Sequence, residues 1–167
     1  MLSIDRQYLP IVILLALGLT MFILNYVFGF HMIVHELGHA IIGTLYGGYC
    51  TIELKPDLYN NTAGVTDCRF PEGTSASTIK TWAFSGIGTE MIVSLILIAI
   101  PWVSVTGGIM LFWTGTSMYF NAYEWDFQTA GVAVPDEFKL FYLVFTIIVW
   151  QVSCLITGWF WYREFEK

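Results

Sequence analysis

His35, Glu36 and His39 follow one another in the pattern His-Glu-Leu-Gly-His. On a helix, residues four apart lie about 6 Å apart along the axis and about 40° around it, so both imidazoles can reach one zinc ion. Zinc lowers the pKa of a bound water toward neutrality, and Glu36 stands where a carboxylate can act as general base and later pass the proton to a leaving amine. The neighbours Met32, Ile33, Val34, Leu37, Ala40, Ile41 and Ile42 are apolar. Ionisable groups in an apolar helix are expensive to bury without compensation, so the setting favours a metal site.

A hydrolytic zinc usually takes three protein ligands and leaves a fourth position for water. His31 is four residues before His35, but it would lie about 12 Å from His39 along the axis, while zinc–nitrogen bonds are only about 2.0–2.1 Å. It reads as an interfacial residue or one that supports the ligands. The third ligand must come from a distant segment, and the acidic candidates near membrane depth are Asp126, Glu124 and Glu90.

The elements that position these residues follow from composition. Of 167 residues, 56% are hydrophobic and 12% charged, about half the charge of a soluble domain. The chain reads as an all-α polytopic membrane protein. About five transmembrane helices are expected, near 9–29, 31–47, 79–101, 107–122 and 139–162, forming one membrane-embedded domain over 1–167. The first run, Leu9 to Phe30, holds 22 residues without a charge and would reach about 33 Å as a helix, enough to cross a bilayer. Continued to Tyr46 it would be nearly 60 Å long, about twice what is needed, so a break or reversal is expected near Gly29-Phe30. The 107–122 run is short and rich in Gly, Ser and Thr, which suits close helix packing. The loop at 49–72 is the long polar stretch; Tyr49–Leu54 alternates loosely and Gly64-Val65-Thr66 can begin a returning strand, giving a small β-hairpin between the second and third helices.

The net charge of −6, without a basic cluster, argues against a nucleic-acid partner. The lipid bilayer is the implied surrounding, and oligomeric state stays open. With two helices over the first apolar run, the side carrying the amino terminus, the hairpin and 121–139 holds Arg6, Lys55, Arg69, Lys80 and Lys139, against Arg163 and Lys167 on the other. Five against two puts the active-site side in the cytoplasm. Cys50, Cys68 and Cys154 allow at most one disulfide, and on a cytoplasmic side Cys50 and Cys68 are expected as free thiols. A bridge between them, or use of the sequon Asn60-Asn61-Thr62, would instead mean an oxidising, non-cytoplasmic side.

Val34-His35-Glu36-Leu37-Gly38-His39-Ala40, the following Gly47-Gly48, the strand-like Ile52 to Thr66, the segment Ala83-Phe84-Ser85-Gly86 and the distal Asn121 and Asp126 together resemble the site-2 protease family, the intramembrane zinc metalloproteases. The likeness covers about Met32 to Gly131, and its specific part is the HELGHA piece. The resemblance implies one zinc ion held by His35, His39 and Asp126, with Glu36 as base and Asn121 as a group that helps the substrate carbonyl. The segment Asn121–Phe127 lacks the family's proline after the asparagine and glycine after the aspartate. The activity implied is hydrolysis of a peptide bond in or near a transmembrane helix of a membrane-protein substrate. Such a helix must unwind before a carbonyl is free, and the hairpin could receive the unwound segment by strand addition. The alternative from another class is a catalytically inactive, protease-like scaffold that binds transmembrane partners.

Overall fold

The computed structural model describes residues 8–53 and 64–166. The order is α1 (Leu9–Phe28), α2 (Phe30–Leu45), β1 (Tyr49–Glu53), β2 (Val65–Arg69), α3 (Ala76–Ile98), α4 (Ser104–Tyr119), α5 (Glu124–Ala130) and α6 (Asp136–Glu166). The architecture is helical with one two-stranded antiparallel sheet between α2 and α3, as expected.

Local chemistry sets the boundaries. Pro10 sits in the first turn of α1, where its missing N–H costs nothing. Gly29 adopts φ 59°, a left-handed conformation, and serves both as the last cap of α1 and the first of α2. The two helices meet there at 59°, so the break expected near Gly29-Phe30 is present. α2 stops at Gly47, whose φ of 80° again suits glycine; the N–H groups of Gly47 and Gly48 donate to the carbonyls of Thr44 and Gly43. Ser75 caps α3 by accepting from the Thr78 N–H at 3.1 Å.

The hairpin pairs Tyr49 with Arg69 and Glu53 with Val65, and its register puts Cys50 opposite Cys68. The two cysteines form a disulfide, a correction to the expectation of free thiols. The bridge lies against Gly43, where a side chain on α2 would collide with both sulfurs. The sequon at Asn60-Asn61-Thr62 falls outside the described residues.

α4 packs between α3 and α6, α1 leans on α4 and α6, and α2 packs against α3 and carries the sheet. One apolar core joins Met21, Val34, Val105, Ile109 and Met110; a second joins Ile87, Met118, Tyr123 and Tyr142. α6 is inverted relative to a water-soluble helix. Its buried residues are Tyr142, Thr146, Ser153 and Thr157, while Phe141, Leu155 and Trp159 are exposed. Thr157 accepts a hydrogen bond from the Val105 N–H at 2.9 Å. Small polar residues inward and large apolar residues outward is the arrangement of helices packed in lipid.

α3 and α6 are each long and apolar enough to cross a membrane, and the bent pair α1–α2 gives a third candidate span if taken as one. The expectation of about five transmembrane helices is therefore corrected to two or three among the described residues. α4 has 16 residues, about 24 Å at 1.5 Å per residue, and most of it is buried by its neighbours. Its apolar character reflects protein contact. α5, a seven-residue helix, was not expected at all.

Candidate metal centre

His35 and His39 project from the same face of α2, and both are buried. Their Nε2 atoms face each other at 3.0 Å. Asp126 reaches them from α5, with Oδ2 at 3.0 Å from His35 Nε2 and Oδ1 at 3.3 Å from His39 Nε2. All three side chains offer a ligand atom within 4.8 Å of the others. Tetrahedral donors with metal bonds of about 2.0–2.1 Å stand roughly 3.3 Å apart, so the separations fit a single small cation after slight relaxation.

A hydrogen bond fixes the tautomer of His39, and the facing carboxylate favours the same one for His35. His39 Nδ1 donates to the Trp82 carbonyl at 2.9 Å, and the Ser85 hydroxyl donates to that same oxygen at 2.6 Å. His35 Nδ1 faces Glu90 Oε1 at 3.2 Å, within reach though poorly aligned for a full hydrogen bond. With the proton on Nδ1 in each ring, the two Nε2 atoms and the carboxylate present only lone pairs to one another. A buried cluster of acceptors requires a proton or a cation among them. Burial alone would push the Asp126 carboxyl up, but a proton taken up between it and the two Nε2 atoms, through hydrogen bonds and charge from His35 and His39, holds it below the usual carboxylate range.

Gly86 of α3 completes the cradle. A Cβ there would lie 2.5 Å from His35 Nε2 and 2.6 Å from His39 Nε2. Only hydrogen at that position leaves the space beside both donors open.

Helical geometry separates Asp126 from Glu124. Residues two apart lie about 200° around a helix, so when Asp126 turns inward Glu124 must turn out. Glu124 is exposed and accepts from Gln128 Nε2 at 3.0 Å. Glu90, the third acidic candidate, is fully buried on the Nδ1 side of the His35 ring, away from the donor cluster.

Glu36 is buried and lines the same cavity of about 230 Å³ as His35, His39 and Asp126. Thr66 of β2 donates to the Glu36 carbonyl at 3.0 Å, fixing the hairpin beside it, and Gly64, Val65 and Trp125 form further wall. Asn121 is elsewhere. It is exposed with φ 62°, accepts from Lys139 Nζ at 2.6 Å and does not line this cavity. His31 is buried and stacks on Trp113 with ring centroids 5.8 Å apart, outside the donor cluster.

The sequence did not single out Trp82, Ser85, Gly86 or Tyr123 as site residues by role. Trp82 acts through its backbone carbonyl, which any residue type supplies, so no side-chain pattern could reveal it. No family model, curated protein or solved structure matches the chain.

Proposed function

We propose that this chain is an intramembrane zinc endopeptidase similar to the site-2 proteases, with His35, His39 and Asp126 holding one zinc ion and Glu36 as general base. The observation that carries the reading is the convergence of three buried ligand atoms on a cavity that Glu36 also lines. When bound, zinc supplies a Lewis acid for the scissile carbonyl and an acidified water. Glu36 accepts the proton of the attacking water and delivers it to the amine that departs as the C–N bond breaks. The Thr66 hydroxyl on the Glu36 carbonyl keeps this base at a fixed height on α2. Trp82 and Ser85 hold His39 with Nε2 free for the ion.

A helix has its carbonyls hydrogen-bonded internally, so a substrate segment has to unwind locally before one of them can be polarised. The start of β2, which walls the cavity through Gly64, Val65 and Thr66, is the edge along which it would lie by strand addition. The substrate class is a membrane protein with a transmembrane helix, consistent with two helices in this chain that are long and apolar enough to span.

The orientation we propose departs from the count of basic residues. A disulfide persists in an oxidising compartment, so the Cys50–Cys68 bridge favours a hairpin on the non-cytoplasmic side, and this outweighs a margin of five charges against two.

The test is metal analysis of purified protein together with cleavage of a transmembrane-helix substrate. Wild type should carry one zinc per chain, Asp126→Ala should carry little, and Glu36→Gln should keep the metal and lose turnover. The position of Asn121, outside the cavity, leaves a scaffold without turnover as the second reading. It would keep zinc in wild type, show no cleavage and retain partner binding in Glu36→Gln.

A further inference from the structure

We propose that Glu90 is the positioning residue for His35: it engages Nδ1 of the ring and so keeps Nε2 turned toward His39 and Asp126. This deepens the metal-centre reading and rests on it. Glu90 lies in the middle of α3 and is completely buried, a costly place for a carboxyl group unless its oxygens are occupied. Oε2 accepts two hydrogen bonds, and Oε1 has the His35 ring as its facing group without an aligned hydrogen bond. Thr114 of α4 donates to Oε2 at 2.8 Å, Tyr123 in the turn before α5 donates to the same oxygen at 2.6 Å, and His35 of α2 faces Oε1 at 3.2 Å.

Tyr123 holds the same imidazole a second way. Its ring lies flat on His35, with centroids 4.9 Å apart and planes within 5°, while its hydroxyl fixes the carboxylate at the ring's edge. His35 is thus restrained on its face by the phenol and on its edge by the acid that the phenol anchors. His39 differs, because its Nδ1 is held by the Trp82 backbone carbonyl, which no substitution at Trp82 removes. The Ser85 hydroxyl lies 3.3 Å from that same Nδ1, so His39 has a backbone partner and a hydroxyl there, whereas His35 has only the Glu90 carboxylate facing its Nδ1.

Two other roles for Glu90 fit less well. As a metal ligand it would have to reach Nε2, but it approaches the opposite ring nitrogen. As packing alone, a carboxyl would be a poor choice where an apolar residue fills the space. A carboxylate behind a ligating histidine fixes the tautomer and raises its basicity, and loss of such a partner typically weakens metal binding by about 10–100-fold.

The experiment measures Zn²⁺ affinity and the visible absorption of the Co²⁺-substituted protein for wild type, Glu90→Gln and Tyr123→Phe in detergent, with metal-free thermal unfolding alongside. Glu90→Gln should bind about 10–100-fold more weakly with an altered Co²⁺ band, and Tyr123→Phe should shift both in the same direction by less. Wild-type affinity and an unchanged band in Glu90→Gln would overturn the proposal. So would complete loss of metal matching that of Asp126→Ala, which would make Glu90 a ligand. If Glu90→Gln does not fold, Tyr123→Phe decides, because it leaves the carboxylate in place; an unchanged affinity and band there would also overturn the assignment. A wild-type protein that binds neither ion sinks the metal-centre reading itself, a result separate from failure of the Glu90 arm.

Discussion

A methyl group is the smallest perturbation that separates a metal site from a mere cluster of polar side chains. Gly86→Ala would place its Cβ about where both Nε2 atoms converge, so the purified variant should lose at least about tenfold in zinc affinity while its helical content by circular dichroism is unchanged. Proton competition gives a second prediction. An ion at this site would need imidazoles without a proton on Nε2 and an ionised Asp126, so lower pH opposes binding. Metal content should fall as the pH is lowered, because protons compete with the ion for the same ligand atoms; content that stays flat down to about pH 4 would contradict histidine ligation. At this scale the sequence was informative where chemistry is local. His35, Glu36 and His39 share one helical turn and could be read together. Asp126 could not be separated from Glu124 and Glu90 without knowing where a short helix begins and which way it faces. Glu90 was visible as a charge at membrane depth, but its partner depends on how α2, α3 and α4 are arranged.

Packing between elements depends on positions where a side chain is missing. A Cβ at Gly115 of α4 would collide with Thr146 of α6, so Gly115→Ala should cost about 1–3 kcal/mol by overpacking, read from unfolding in detergent, without direct effect on metal content. The hairpin–helix contact tests differently. Thr66→Val keeps the shape but removes the bond to the Glu36 carbonyl, a loss of about 1 kcal/mol. Turnover should drop while zinc stays bound; equal turnover would mean the hairpin does not position Glu36. Long elements were legible because apolar runs and glycine stops mark them, as at Gly29 and Gly47. α5 was not, since seven residues with Asp126 and Ala130 buried carry no periodic signal. The span count failed for a related reason: α4 is apolar because α3 and α6 cover it, and composition cannot tell a protein neighbour from a lipid one.

For the whole molecule, the joined cysteines bear on which side of the membrane the cavity opens. In intact cells, Cys50 and Cys68 should resist a membrane-impermeant alkylating reagent until a reductant is added, and then react. Labelling without reductant would contradict the bridge, and protection that persists after it would contradict the assigned orientation. Pairing was not legible in the sequence because it depends on the register that sets Cys50 across from Cys68.

That crosslink has an effect beyond location. It joins the strands at the end nearest α2, just past His39, and so anchors the hairpin at its base whatever lies between residues 54 and 63. A one-residue slip would reverse which face each strand residue presents, and the covalent staple forbids it. The wall of the candidate site therefore keeps its alignment when single strand residues are exchanged, so its recognition surface can be re-cut position by position without retuning the chemistry underneath.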